Sequence, residues 1–222
     1  AQLNPKAKES HPDAVPKTAQ EAVGGFGDNP GFEGYGPIAM ITGQAAAAFA
    51  LMERVGVPVP RARLDAAYAF LQRATGKNGY VWYEDEAASD TGWADPGRTG
   101  ASGIAHWLSP YAEPLYREQA LRHARLLGEH PQSFPDTHGC PTMGMAWAAL
   151  TAHLDSAAWR RLLDANRWWF VLAECPDGSF YYQPNRDNAG YGGDSRLSAS
   201  AVVALIFSIP KRNLLLTGKD AR

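Results

Sequence analysis

The chain has 222 residues, 45% of them hydrophobic and 20% charged, with a formal net charge of −2. That length and balance suit one globular domain with a real core, and the near-neutral charge removes the broad electrostatic case for nucleic acid or an anionic membrane as partner. No apolar run nears the roughly 20 residues that cross a bilayer, so no transmembrane segment is expected.

Residues 1–23 are polar and carry three prolines with several Lys and Glu, which predicts an extended arm or linker. The opening "AQLNPKAKES" suits the start left by signal-peptide cleavage, hence a secreted or periplasmic protein, and suits an excised piece of a longer chain equally. A toroid-like domain is expected over residues 24–210, followed by a tail at 211–222. The segment "GPIAMITGQAAAAFALMERVG" (36–56) is apolar nearly all round and predicts a helix buried on most sides. "PRARLDAAYAFLQRAT" (60–75) is amphipathic, with Leu64, Ala67, Tyr68, Leu71 and Ala74 on one face. The order then repeats. Small-residue apolar segments at 97–109, 138–154 and 193–209 alternate with amphipathic ones at 113–130 and 155–174. A repeat of this kind outranks the reading of any single element.

Helical hairpins set side by side explain the alternation. Inner helices touch neighbours on all sides and are apolar, whereas outer helices meet water on one side. Four loops lead into the inner helices: "FGDNPGFEGYGP", "SDTGWADPGRTG", "SFPDTHGCPT" and "NRDNAGYGGDS". All four hold Gly and Asp, and each feeds a helix N-terminus, with its free N–H groups and positive dipole end, from the same side. The stretch "RWWFVLAECPDGSFYY", and more weakly "AYAFLQRATGKNGYVWY", resembles the repeat of the terpenoid-cyclase and protein-prenyltransferase superfamily. In that repeat an aromatic-aliphatic outer helix runs into a D-G-S-F-type turn. The resemblance covers residues 24–209 as a pattern and implies an all-α fold, an α/α toroid. Full toroids have five to seven hairpins and this chain offers about three and a half. An incomplete arc is therefore expected, closed by a further domain or by a second copy of the chain.

The densest chemistry lies in "FPDTHGC", where Asp136, His138 and Cys140 fall within five residues and all three types bind zinc. The resemblance implies zinc through an Asp-x-Cys pair and a later His. This chain has His138-x-Cys140 instead, and no His after His153. Either the cluster holds zinc, or Asp136 forms a turn while Cys140 is a small apolar residue. Cys175 ends an outer helix on the same side as Cys140, so a disulfide is a further alternative. Converging loops also bring carboxylates together, as glycoside cleavage requires. Asp28, Glu33, Asp90, Asp95, Asp136, Asp187 and Asp194 are available, although Asp before a helix is most often a cap or turn former. Arg98, Arg186 and Arg196 either clamp an anion or pair with a neighbouring Asp. Phe32, Tyr35, Trp93, Tyr181, Tyr182 and Tyr191 sit on a polar, Gly-rich rim and suit stacking against sugar faces. His106 falls within an apolar inner segment and is expected as a hydrogen-bonded core histidine.

These readings converge on a carbohydrate-active domain that cleaves or binds a polysaccharide, or another small-molecule ligand, at the loop face. Asp136 and His138 are the expected proton-transfer pair. Tyr35, Trp93, Asp95, Arg98, Tyr191, Asp194 and Arg196 are the expected binding groups. No cofactor is required, zinc at Asp136, His138 and Cys140 being the alternative. A non-catalytic interaction module and a zinc-dependent prenyltransferase- or cyclase-like enzyme are the other readings.

Overall fold

A computed structural model of the chain describes residues 20, 23–27, 36–137, 141–181 and 195–219. Among these residues there are eight α-helices, three short 3-10 turns and no strand, so the fold is all-α. The helices are α1 (Ala39–Arg54), α2 (Arg61–Arg73), α3 (Pro96–Leu108), α4 (Pro114–Glu129), α5 (Pro141–Ala152), α6 (Ser156–Ala165), α7 (Arg167–Ala173) and α8 (Ser195–Ser208).

The apolar helices form one row in chain order: α1 packs on α3, α3 on α5, and α5 on α8. A second row lies against it, with α2 on α1, α4 on α3 and α5, and α6 on α4 and α5. Composition sets this division. Every residue of α3 except Trp107 is buried, whereas α4 buries one face built on Ala120, His123, Ala124 and Leu127. The first row is tight because it lacks side chains where its backbones meet. A Cβ added to Gly100 would lie 2.4 Å from the backbone nitrogen of Ala148, and the Thr151 hydroxyl donates to the Gly100 carbonyl at 2.6 Å. Even the methyl group of alanine would push α3 and α5 apart.

The predicted helix over 155–174 is two helices, broken at Asn166. That residue is buried, and its Nδ2 donates to the Leu162 carbonyl at 2.8 Å and to the Pro131 carbonyl at 2.7 Å. A side-chain amide that takes the carbonyl four residues back competes with the helix ladder and turns the chain.

A turn recurs ahead of the inner helices. Thr75 bridges Val81, Glu174 bridges Phe180 and Gln20 bridges Phe26, each across six residues. In each turn the fifth residue is a glycine in the left-handed region: Gly24, Gly79 and Gly178, with φ of 95°, 95° and 79°. Any other residue there is strained. Two copies match bond for bond. Trp82 N–H donates to Ala74 O and Gly79 N–H to Gly76 O; Tyr181 N–H donates to Ala173 O and Gly178 N–H to Cys175 O. Asn78 and Asp177 start these turns by accepting the N–H two residues on, at 3.1 and 3.0 Å. The copy at Gln20 lacks an Asn or Asp, and Gln20 Nε2 donates to Gly24 O at 2.7 Å instead.

Each turn is pinned to the inner helix that follows. The N–H groups of Phe26, Val81 and Phe180 donate to the hydroxyls of Thr42, Thr99 and Ser200 at 2.9, 3.1 and 2.9 Å. Thr99 is fully buried, so Thr99→Val strands the Val81 N–H with no alternative acceptor. Equilibrium urea unfolding is expected to show a loss of about 1–3 kcal/mol for this variant. A loss below a few tenths would mean that the pin carries no load.

Candidate functional site

The loops leading into α3 and α5 meet through Asp95 and Thr137. Asp95 sits at the N-cap position of α3 with φ 56° and ψ 75°, one of two non-glycine residues with positive φ among those described. It makes no capping bond, because this left-handed backbone aims its carboxylate elsewhere. One carboxylate oxygen pairs with Arg98 Nη1 and the other accepts from the Thr137 hydroxyl at 2.7 Å. Arg98 is itself consumed. Its Nε donates to Val81 O at 3.2 Å and its Nη2 to the Tyr80 hydroxyl at 2.7 Å, with its guanidinium 5.7 and 5.5 Å from the Tyr80 and Tyr83 ring centres. Both members of the pair are nearly buried, with 10% and 13% of their side chains exposed. Burial pushes the Tyr80 hydroxyl pKa up. The cluster therefore fastens one loop to the next, which is the pairing alternative for this arginine.

Trp93 and Asp136 flank this fastening. Trp93 is exposed and its ring lies nearly parallel to that of His130, with centroids 5.2 Å apart at 16°. The chain just before it is tied to the turn after α2: Asp90 accepts from the Lys77 N–H at 2.8 Å, and Asn78 Nδ2 donates to Gly92 O at 2.8 Å. The backbone bond from Lys77 is the main cause that holds the Asp90 carboxyl below its usual pKa. Asp136 is half-buried, its N–H donates to Ser133 O at 2.9 Å, and it directly precedes the Thr137 that reaches Asp95.

The other expected site residues fall elsewhere. Arg196 lies on the surface at the start of α8, with its Nη1 3.4 Å from Asp177 Oδ2. Cys175 is a free, half-buried thiol. Tyr35, His138, Cys140, Tyr191 and Asp194 lie outside the described residues, as do Asp28, Phe32, Glu33, Tyr182, Arg186 and Asp187. The Asp136–His138 pair, the zinc cluster and the Cys140–Cys175 alternative thus lie partly there. Among the described residues no group of three His, Cys, Asp or Glu is placed to hold a metal.

Two features escaped the sequence reading. His123 is fully buried and packs 5.3 Å from His106, ring to ring; its place between Ala120, Ala124 and Leu127 on the apolar face of α4 was the available signal. At the C-terminal ends of α1, α3 and α5, a cavity of about 460 Å³ is lined by Arg54, Arg117, His153, Arg212 and Lys219. Arg117 stacks on Trp107 at 3.9 Å there. Cations at this end complement the negative poles of three helices.

The protein family described as "Domain of unknown function (DUF6288)" matches residues 13–218, and the chain belongs to that family. The match begins inside the segment expected as an N-terminal arm. No curated protein matches the chain.

Proposed function

We propose that this member of the DUF6288 family binds a polysaccharide at the face where loops lead into α3 and α5. The observation that carries the reading is Trp93, an exposed ring held flat against His130 in a loop tied to the neighbouring turn at Asp90 and Gly92. A preorganised aromatic face beside polar groups suits a sugar ring, whose C–H face stacks while its hydroxyls reach the rim. In this reading the buried Asp95–Arg98 pair is the scaffold. Tyr35, Tyr191 and Asp194 are further rim groups, and Asp136 with His138 transfers protons if the polymer is cut. The two helical rows support an arc of the α/α-toroid type, completed by another domain or another copy.

Affinity electrophoresis through gels containing soluble polysaccharides tests it. The wild-type chain is expected to be retarded by at least one neutral or uronate-containing polymer. Trp93→Ala should weaken that binding at least ten-fold with an unchanged circular dichroism spectrum. Retardation by none of the polymers, or full retardation of Trp93→Ala, would defeat the reading.

A second reading is a non-catalytic module. It is favoured by the Asp95 carboxylate, which spends both oxygens inside the protein. Asp136→Ala separates the two. Loss of polymer cleavage with binding retained supports the enzyme, and binding without cleavage in the wild type supports the module.

A further inference from the structure

The cavity at the C-terminal ends of α1, α3 and α5 has a volume of about 460 Å³, and its charged lining is all of one sign. Arg54, Arg117, Arg212 and Lys219 reach it from α1, α4 and the segment after α8, and His153 follows α5. Among the described residues no Asp or Glu lines it. The four Arg and Lys side chains are exposed, so a solute can reach them. Among the described residues they make no ion pair and no side-chain hydrogen bond, whereas Arg61, Arg73, Lys77 and Arg125 elsewhere each have a carboxylate. Helix ends do not account for them. A helix C-terminus carries about half a negative charge, so three such ends leave four full cations in excess. Arg117 falls in the first turn of α4, at a positive pole. Two of the arginines are held in place. The Arg117 guanidinium lies 3.9 Å from the Trp107 ring centre, and this stacking fixes its plane while leaving its N–H edge free. Arg212 takes φ 51° and ψ 40°, a left-handed backbone that is strained in a non-glycine residue. Its side chain runs past Gly218, with Cδ 3.9 Å from where a Cβ would stand there. Burial, then the Arg212 charge, lowers the His153 pKa, which sets the guanidinium close to that ring.

We propose that this cavity binds a soluble organic phosphate, whose phosphate monoester is held by Arg54, Arg117, Arg212 and Lys219. A phosphate monoester carries about −1.5 to −2 at neutral pH, which answers the excess of cations where a single carboxylate does not. Guanidinium forks meet two phosphate oxygens at once. The volume falls in the ~300–1,000 Å³ range of small-molecule sites and leaves room for an organic remainder beside the phosphate. Leu150, Leu154 and Leu216 offer that remainder apolar contact. His153, kept uncharged at neutral pH, offers a hydrogen bond to a hydroxyl. The cavity lies at the opposite end of α3 from the Trp93 loop, so its occupancy does not depend on that loop's ligand.

The test is calorimetric titration of the full chain with glycerol 3-phosphate and glucose 6-phosphate, in about 0.15 M NaCl so that non-specific charge is screened. At least one of the two esters is expected to bind saturably, while glycerol and glucose do not. Arg117→Gln and Arg212→Gly should each weaken that binding by roughly ten-fold or more, the loss of a charge-assisted contact. Glycine relieves the left-handed backbone at position 212, so that variant is expected to keep its fold. Lys211→Gln removes an equal charge from an exposed residue outside the cavity and should leave binding unchanged. The proposal is overturned if neither ester binds, if both arginine variants bind as the wild type does, or if Lys211→Gln weakens binding as much as they do. Sedimentation with phosphatidylcholine vesicles containing phosphatidic acid separates the source of the phosphate. Binding to these vesicles without binding to glycerol 3-phosphate would mean a membrane headgroup and would overturn the soluble ligand.

Discussion

Asp95→Ala is expected to destabilise the protein by about 3–5 kcal/mol, the usual cost of leaving one member of a buried ion pair without its partner. Arg98 would keep its bonds to Val81 O and the Tyr80 hydroxyl but would hold an uncompensated charge with only a tenth of its side chain exposed. Thr137 would lose its acceptor at the same time, so the loops into α3 and α5 would come unfastened together. For a chain of this size the thermal midpoint should fall by roughly 6–20 °C. The double variant Asp95→Ala/Arg98→Met removes both charges and should recover part of the loss, since a neutral apolar replacement avoids the stranded cation. Urea unfolding followed by circular dichroism measures all three proteins. A cost under 1 kcal/mol for Asp95→Ala would place the pair among solvent-relaxed surface bridges.

Acid is expected to unfold this protein through two histidines. Burial lowers His106 to about 4; burial, then the neighbouring His106, lowers His123 to about 3, both from an ordinary 6.5. Above pH 6.5 neither folded nor unfolded chain protonates these rings, and they contribute no pH dependence. Below pH 6.5 the unfolded chain takes up protons that the folded chain refuses. Stability therefore falls as pH drops from 6.5 and stops falling on their account near pH 3. Each unit of depression is worth about 1.4 kcal/mol, so the pair together removes several kcal/mol. His106→Phe/His123→Gln should flatten the profile between pH 6.5 and 4 relative to wild type. An unchanged slope would mean that other groups carry the acid transition.

The neutrality of these rings comes from burial, which outweighs the hydrogen bonds they make to carbonyls. His106 and His123 each spend Nδ1 on a carbonyl, Ser102 O at 2.7 Å and Gly79 O at 2.6 Å. The second of these ties α4 to the recurring turn after α2. Tyr68, fully buried, packs against His106: its ring centre is 5.5 Å from that of His106 and its hydroxyl donates to Ala105 O at 2.6 Å. The two carbonyls favour the charged rings, but the loss of water on burial disfavours them more, which sets the direction of the shifts.

Periodicity alone determined that this chain is all-α, with apolar helices alternating with amphipathic ones, because burial on all sides and burial on one side demand different residue patterns. The "PDGSF" turn was legible for a local reason: an Asx side chain and a left-handed glycine dictate backbone geometry within four residues. Its counterpart at Gln20 was not, since there the same geometry is held by a side chain and by contacts with α1 and α2. Tertiary structure alone decided the break at Asn166, whose amide answers a carbonyl 35 residues away. It decided that Asp95 binds Arg98 and Thr137 rather than capping a helix, because a partner 42 residues distant supplies the second bond. It also decided that His106 keeps one buried nitrogen without a hydrogen-bond partner. A sequence states which groups a residue carries; which of them are already satisfied depends on neighbours that only the folded chain brings within 3 Å.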